Sequence, residues 1–356
     1  MKKSLLRLKS APYFSGLMIF LFIFALNVVI QTPEKFFYVN NINTIIAKNT
    51  PLILITMSQG LLMMSGVVDF SVGAQVSLGN VIAIMLPQTF GTPLWVSWVL
   101  AVLACVAVSL FNGLITTYLR IPVLLSCYAM VFVVKGLNVL IMPKPQGTVP
   151  SYIYKTYDSL LLGFLPFSAL ILAGVLLFWV YLKRTRFGRA LYATGGNLRH
   201  AYSSGVNTSA TRMKTYLIAG VINGIAGLCM TAMTASGDPN AGEVYGLKTV
   251  AACILGGIAL SGGWGSLSCA FFGALILVLT QNGVSQTFNL LCRRIPGFSV
   301  TTYWQNFASD MIILLALVLT VFANRAMMNS IRQQIKYLAL REEKKDSPQD
   351  DAESLP

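Results

Sequence analysis

Between Tyr13 and residue 323 the chain returns repeatedly to apolar runs that are almost free of charge. A helix needs about 20 such residues to cross the hydrocarbon layer of a bilayer, and lipid requires each backbone N–H and C=O to be satisfied within the protein. The runs lie at 13–30, 42–64, 70–87, 94–118, 122–142, 164–182, 215–235, 248–260, 268–286 and 303–323. They predict an all-α polytopic membrane protein of about ten transmembrane helices, some broken or short. The runs at 70–87 and 248–260 are short or interrupted by Gly. Broken backbone at membrane depth is tolerated only beside protein or a water-filled cavity, so these two runs are where a pathway is expected. With 55% hydrophobic and 11% charged residues, the composition excludes a soluble globular enzyme.

Charge then sets the expected topology. Lys and Arg number 26 against 12 Asp and Glu, and six of those acids fall in the last fifteen residues. The basic residues cluster beside apolar spans, as in loops facing an anionic cytoplasmic leaflet, rather than on a nucleic-acid-binding face. Placing both termini in the cytoplasm puts Lys2, Lys3, Arg7 and Lys9, Arg120, the seven basic residues of 183–214 and the basic tail on one side. Six spans then precede the 183–214 loop and four follow it. Arg293 and Arg294 fall on the wrong side of this layout. The N-terminal run lacks a small-residue cleavage site and reads as a retained first span. The tail, 326–356, is polar and acidic toward its end and reads as a partly disordered cytoplasmic extension.

Catalytic and cofactor chemistry is not expected. The six Cys (105, 127, 229, 253, 269, 292) form no C-x-x-C pair, and five lie inside apolar runs as small hydrophobes. His200 is the single histidine, too few for a metal site or proton relay, and no Gly-Lys dipeptide exists from which a phosphate-cradling loop could be built.

Four segments carry the remaining information. Ser65 to Ala74 places Asp69 beside an apolar run; a carboxylate at a bilayer centre costs about 2.5 to 3.5 kcal/mol, so Asp69 either caps the following helix or serves a solute pathway. Asn112-Gly113-Leu114 precedes Leu119-Arg120-Ile121-Pro122, a tight turn between two spans, and Asn112 needs a partner across helices. The loop 183–214 is basic, rich in Gly and also apolar at Phe187, Leu191, Tyr192 and Val206, which suits a short helix bracketed by Gly hinges that docks on another protein or lies on the lipid surface. From Ala251 to Gly283 the chain is uncharged and Gly-rich, which favours close helix packing.

Taken in this order the segments resemble the membrane permease subunits of bacterial ABC importers for monosaccharides, the ribose, xylose, arabinose and galactoside group. Gly66 to Ala74, Phe111 to Leu114, Thr185 to Asn197 with Ser204 to Asn207, and Asp238 to Gly242 with Leu255 to Ser266 and Gly273-Ala274 are similar to four motifs of that family. The resemblance covers about residues 40–325 and implies a permease domain over 1–325, an ATP-driven importer of the inner membrane with alternating access, no enzymatic activity and no cofactor. It implies as partners cytoplasmic ABC ATPases, a second permease copy or paralogue and an extracytoplasmic sugar-binding protein, in a lipid bilayer and without nucleic acid. The loop 183–214 becomes the segment coupling to the ATPase, through Gly195, Gly196, Asn197, Arg199, His200, Ser204 and Gly205. Polar residues in or beside spans, Gln59, Asp69, Ser71, Asn112, Gln281 and Asn282, are candidates for the pathway.

This chain departs from the family's pattern in four places. Leu198 to Tyr202 replaces a stretch that usually has acidic and Ala residues, Lys248 follows Leu247 where an acid is frequent, Ser309 stands where Lys is frequent, and Leu290 to Pro296 reads as an insertion. Permeases for nucleosides or branched-chain amino acids share the fourth segment and are the nearest alternative. An ion-coupled carrier is the remoter one, since only Asp69 and Asp310 supply intramembrane acids.

Overall fold

The computed structural model describes residues 14–161, 163–295 and 300–323; the N-terminal basic segment, Pro296 and the tail 326–356 lie outside the described residues. The chain forms α1 (Phe14–Gln31), α2 (Pro33–Phe36), α3 (Val39–Met64), α4 (Val72–Phe90), α5 (Leu94–Thr117), α6 (Val123–Ile141) and α7 (Ser151–Tyr157). A two-residue hairpin, β1 (Leu160–Leu161) with β2 (Leu165–Pro166), pairs antiparallel. Then come α8 (Phe167–Arg184), α9 (Arg186–Gly196), α10 (Leu198–Ser203), α11 (Thr208–Thr234), α12 (Tyr245–Gly256), α13 (Leu267–Arg294) and α14 (Thr302–Ala323). Two compact units divide at residue 309: Met1–Ser309 holds the bundle, and the described part of Asp310–Pro356 is the remainder of α14.

Helices stand in all ten expected places, but among the described residues six of them, α3, α5, α6, α8, α11 and α13, are long and apolar enough to cross a membrane by length and composition. The run at 248–260 is short because α12 has 12 residues, about 18 Å at 1.5 Å per residue, against the ~30 Å a full crossing needs. Two boundaries move outward. Helix α11 begins at Thr208, ahead of the apolar run, because the Asn207 side chain accepts from Ala210 N (2.9 Å) and caps a polar first turn. Helix α13 continues to Arg294, so Leu290 to Arg294 belongs to the same helix as the apolar run.

Helix α3 is the axis of the bundle. Every residue from Thr50 to Met64 is buried, and α8, α11, α12 and α13 surround it. Helices α5, α6 and α8 are peripheral, with 22%, 28% and 17% of their apolar windows buried, and their exposed Leu, Val and Phe side chains match a hydrocarbon surround. Small residues let neighbours close on one another: an added Cβ on Gly256 would strike the Cys269 carbonyl, and one on Gly273 the Ala252 carbonyl.

Proline in the axial helix creates a need that another element meets. Pro51 has no N–H, so the Ala47 carbonyl four residues earlier loses its helical donor. The Tyr157 hydroxyl, from the end of α7, donates to that oxygen at 2.7 Å, and both residues are buried. Nearby, Asn43 Nδ2 donates to the Asp158 carbonyl at 2.8 Å, so α7 fastens to the first half of α3. Tyr157→Phe should therefore destabilise the protein by about 1–3 kcal/mol, the cost of a buried acceptor left unmet. A thermal-shift measurement in detergent should show a lowered Tm, and an unchanged Tm would remove this role.

Candidate functional site

The segment after α8 is built from two caps and one stop. Thr185 opens α9 by accepting from Gly188 N (3.4 Å), and Asn197 opens α10 by accepting from Arg199 N (3.0 Å) and His200 N (3.1 Å). Gly205, at φ +80°, stops α10: its N–H donates to the Tyr202 carbonyl (2.9 Å) and Val206 N–H to the Ala201 carbonyl (3.1 Å). Helix α9 is amphipathic, burying Gly188, Leu191, Thr194 and Gly195. From Gly196 to Gly205 every residue except Ala201 is exposed, with Tyr202 at 73%. A buried root thus carries a solvent-facing crest formed by Asn197, Arg199, His200, Ser204 and Gly205.

The root is joined to the bundle backbone to backbone. The Met64 carbonyl, left open at the end of α3, accepts from Gly263 N (3.0 Å), and Gly195 packs so closely on that same carbonyl that an added Cβ would overlap it. A Cβ on Gly262 would lie 2.7 Å from Gly66 Cα and 2.8 Å from the Gly195 oxygen, and one on Gly263 would lie 2.5 Å from Gly196 Cα. Gly66, at φ +78°, ends α3 with the stop geometry seen at Gly205, Val67 N–H donating to the Leu62 carbonyl at 3.1 Å. The Tyr192 hydroxyl adds a donor to the Gly265 carbonyl (2.8 Å); burial pushes its phenol up to about 12, so it remains protonated and donates at neutral pH.

The expected Gly hinges sort unequally. Gly188 lies inside α9, and Gly196 ends the helix with nothing within 4 Å of an added Cβ. Asn197 and Gly205 bracket α10 instead. Gly195 is a contact surface rather than a hinge.

One turn and a half before Met64, α3 presents Gln59 to a buried polar cluster. With its amide oriented to satisfy both partners, Gln59 donates to the Asp69 carbonyl (2.8 Å) and accepts from Asp69 N (3.2 Å). The fully buried Asp69 carboxylate accepts from Ser71 N (2.8 Å) and Ser71 Oγ (2.6 Å), which fixes the turn that starts α4. Gln75 Nε2 donates to Ser71 Oγ (2.9 Å), and Gln75 Oε1 accepts from Asn223 Nδ2 on α11 (2.9 Å). Asn112 of α5 lies beside the Asp69 carboxylate; its Oδ1 accepts from Ser126 Oγ of α6 (2.7 Å), while its Nδ2 has no protein partner.

Of the six pathway candidates, Gln59, Asp69, Ser71 and Asn112 therefore share one cluster. Gln281 and Asn282 lie elsewhere on α13: Gln281 donates to Asn306 Oδ1 (3.3 Å), and Asn282 accepts from Gln31 Nε2 of α1. Gln75, Ser126 and Asn223 complete the cluster and were missed. Their signal was available, since each is a polar residue in an apolar helix that must find a partner. A second tie, also missed, holds the segment 235–244 that leads into the short α12. Asn80 donates to Thr231 Oγ1 (2.9 Å) and accepts from Asp238 N (2.7 Å), Ser77 Oγ accepts from Gly242 N (2.8 Å), and Asn138 Nδ2 donates to the Ala74 carbonyl (3.1 Å). Among the described residues no His, Cys, Asp or Glu group has metal-site spacing.

Residues 41–321 match the family described as "Branched-chain amino acid transport system / permease component". The chain is also similar to the autoinducer 2 import system permease protein LsrC of Photorhabdus laumondii, at 28% identity over 85% of this chain and 87% of that protein. The LsrC proteins of Yersinia enterocolitica and Yersinia pestis are 29% identical to it over 90% of this chain and 85% and 88% of theirs. No solved structure matches the chain.

Geometry at the junction separates two adjacent glycines. Gly195→Ala should destabilise the protein by about 1–3 kcal/mol, since the obstructing atoms are backbone and cannot rotate away. Gly196→Ala should stay within about 0.5 kcal/mol of the parent. Thermal unfolding of the two variants in detergent reads the difference, and equal stabilities would contradict the contact.

Proposed function

The chain belongs to the branched-chain amino acid transport system / permease component family, and from that membership we propose that it forms the membrane half of an ATP-driven importer for a small sugar-like solute. It is a multi-pass transport subunit and not an enzyme. The observation that carries the proposal is the α9–α10 segment, whose crest is exposed while its root bears on the end of the axial helix. A push on the crest passes from Gly195 and Gly263 to Met64, along α3 to Gln59, and through Asp69 and Gln75 to α4 and α11. A cytoplasmic ATPase gripping Asn197 to Gly205 could move the broken elements, α12 and the 65–71 turn, in this way. No nucleotide chemistry is needed in this chain.

The same reading places both termini and the 183–214 loop in the cytoplasm, counts ten crossings with α4, α12 and α14 among them, and pairs the chain with a second permease copy or paralogue. It assigns delivery of the solute to an extracytoplasmic binding protein. The relatives are named for import of autoinducer 2, and the likeness of four motifs to monosaccharide permeases supports a sugar-like cargo. The family's own description keeps branched-chain amino acids as the second reading. Among the described residues Asp69 is the one buried acid, and its partners occupy it structurally, which speaks against an ion-coupled carrier.

Three experiments test this. In cells, uptake should stop when the ATPase partner is inactivated and survive collapse of the proton gradient at constant ATP; the reverse pattern would establish an ion-coupled carrier. Competition by unlabelled ribose against leucine separates the two cargo classes. Asp69→Ala should lower Tm and the amount of folded protein, by about 1–3 kcal/mol, while leaving the KM of the remaining transporter unchanged. A raised KM at unaltered Tm would make Asp69 a solute contact.

A further inference from the structure

A recess of about 330 Å³ opens among α5, α7, α8 and α11, lined by Trp98, Ile153, Tyr157, Ile171, Ile225 and Cys229 among others. It lies at the opposite end of the bundle from the α9–α10 segment. Trp98 and Ile171 stand about one turn into α5 and α8, and Cys229 belongs to the last turns of α11, which starts beside the junction. The walls are almost wholly apolar. The Tyr157 hydroxyl is already committed to the Ala47 carbonyl, whereas Trp98 Nε1 is buried without an acceptor. The recess thus offers an almost wholly apolar surface with one unmet donor buried in its wall.

Its neighbours identify what reaches it. Helices α5 and α8, which frame the opening, are among the least buried of the spans, so their outer faces meet acyl chains. Around the same end Trp95, Tyr152 and Phe164 are 72%, 62% and 65% exposed, the aromatic side chains that collect at the hydrocarbon–water boundary. At that depth a glycerolipid carries its ester carbonyl, an acceptor placed at the head of an apolar chain. We propose that this recess is a phospholipid site, holding one acyl chain of the leaflet facing away from the coupling segment, with the Trp98 ring turning so that Nε1 donates to the ester carbonyl. The lipid would fill the gap between α7 and α11 and so support the Tyr157 bond to the proline-interrupted part of α3.

The test uses the full-length chain, in its assembled complex, reconstituted in phosphatidylcholine nanodiscs that contain a phosphatidylcholine with a photoactivatable diazirine in one acyl chain. After illumination, peptide mass spectrometry should find labelling of 151–157 and 225–232 enriched at least about threefold over the exposed faces of α5 and α8. Ala232→Phe, which fills the recess, should remove that enrichment, and Trp98→Phe, which keeps the ring and deletes the donor, should reduce it severalfold. Size-exclusion profiles and ATPase-dependent uptake confirm that each variant is assembled. Uniform labelling of all lipid-facing helices, labelling unchanged by both variants, or protection of the recess by a second copy of the chain would each overturn the proposal.

Discussion

The contact on which the structure turns is a carbonyl oxygen covered by glycine. The axial helix α3 ends at Met64 with an open carbonyl; Gly263 supplies its hydrogen bond and Gly195 its packing. Any side chain at Gly195 would hold the α9–α10 segment away from α3, and any at Gly262 or Gly263 would separate the loop before α13 from both. Because the contact is backbone against backbone, it has almost no rotameric slack, and a displacement of the crest must be taken up by the helices. A cushion of flexible side chains would absorb the same movement.

The polar cluster extends this connection into the bundle. Gln59 reads the backbone of Asp69, the Asp69 carboxylate holds Ser71, and Gln75 reaches Asn223, so α3, α4 and α11 are bound by buried hydrogen bonds that no water competes for. Such groups are costly unless paired, which gives the cluster few alternative arrangements. The short α12 and its lead-in, held by Asn80 and Ser77, form the least continuous part of the bundle. Movement there breaks fewer helical bonds than movement of an unbroken span.

Much of this could be read from the residues. The apolar runs located the helices; the loop was read as a helix between Gly hinges, and the caps at Asn197 and Asn207 and the stop at Gly205 were legible but unread, since each acts on backbone a few positions away. What could not be read was pairing across the chain. Nothing local to Gly195 distinguishes it from Gly196; only the arrival of Met64 and Gly263 from distant segments makes one a contact and leaves the other free. In the same way Gln281 and Asn282 resemble Gln59 in composition, yet they face α1 and α14 rather than the Asp69 cluster. Hydropathy also misplaced the ends of α11 and α13, where polar turns continue a helix beyond its apolar stretch.

The central claim, that the α9–α10 crest is held by a separate cytoplasmic ATPase, can be measured by site-directed labelling. In Tyr202→Cys, a membrane-impermeant maleimide should reach the new thiol in inside-out vesicles and not in right-side-out cells, and co-assembly with the ATPase should protect it. Labelling from the exterior, or labelling unaffected by the ATPase, would contradict the claim.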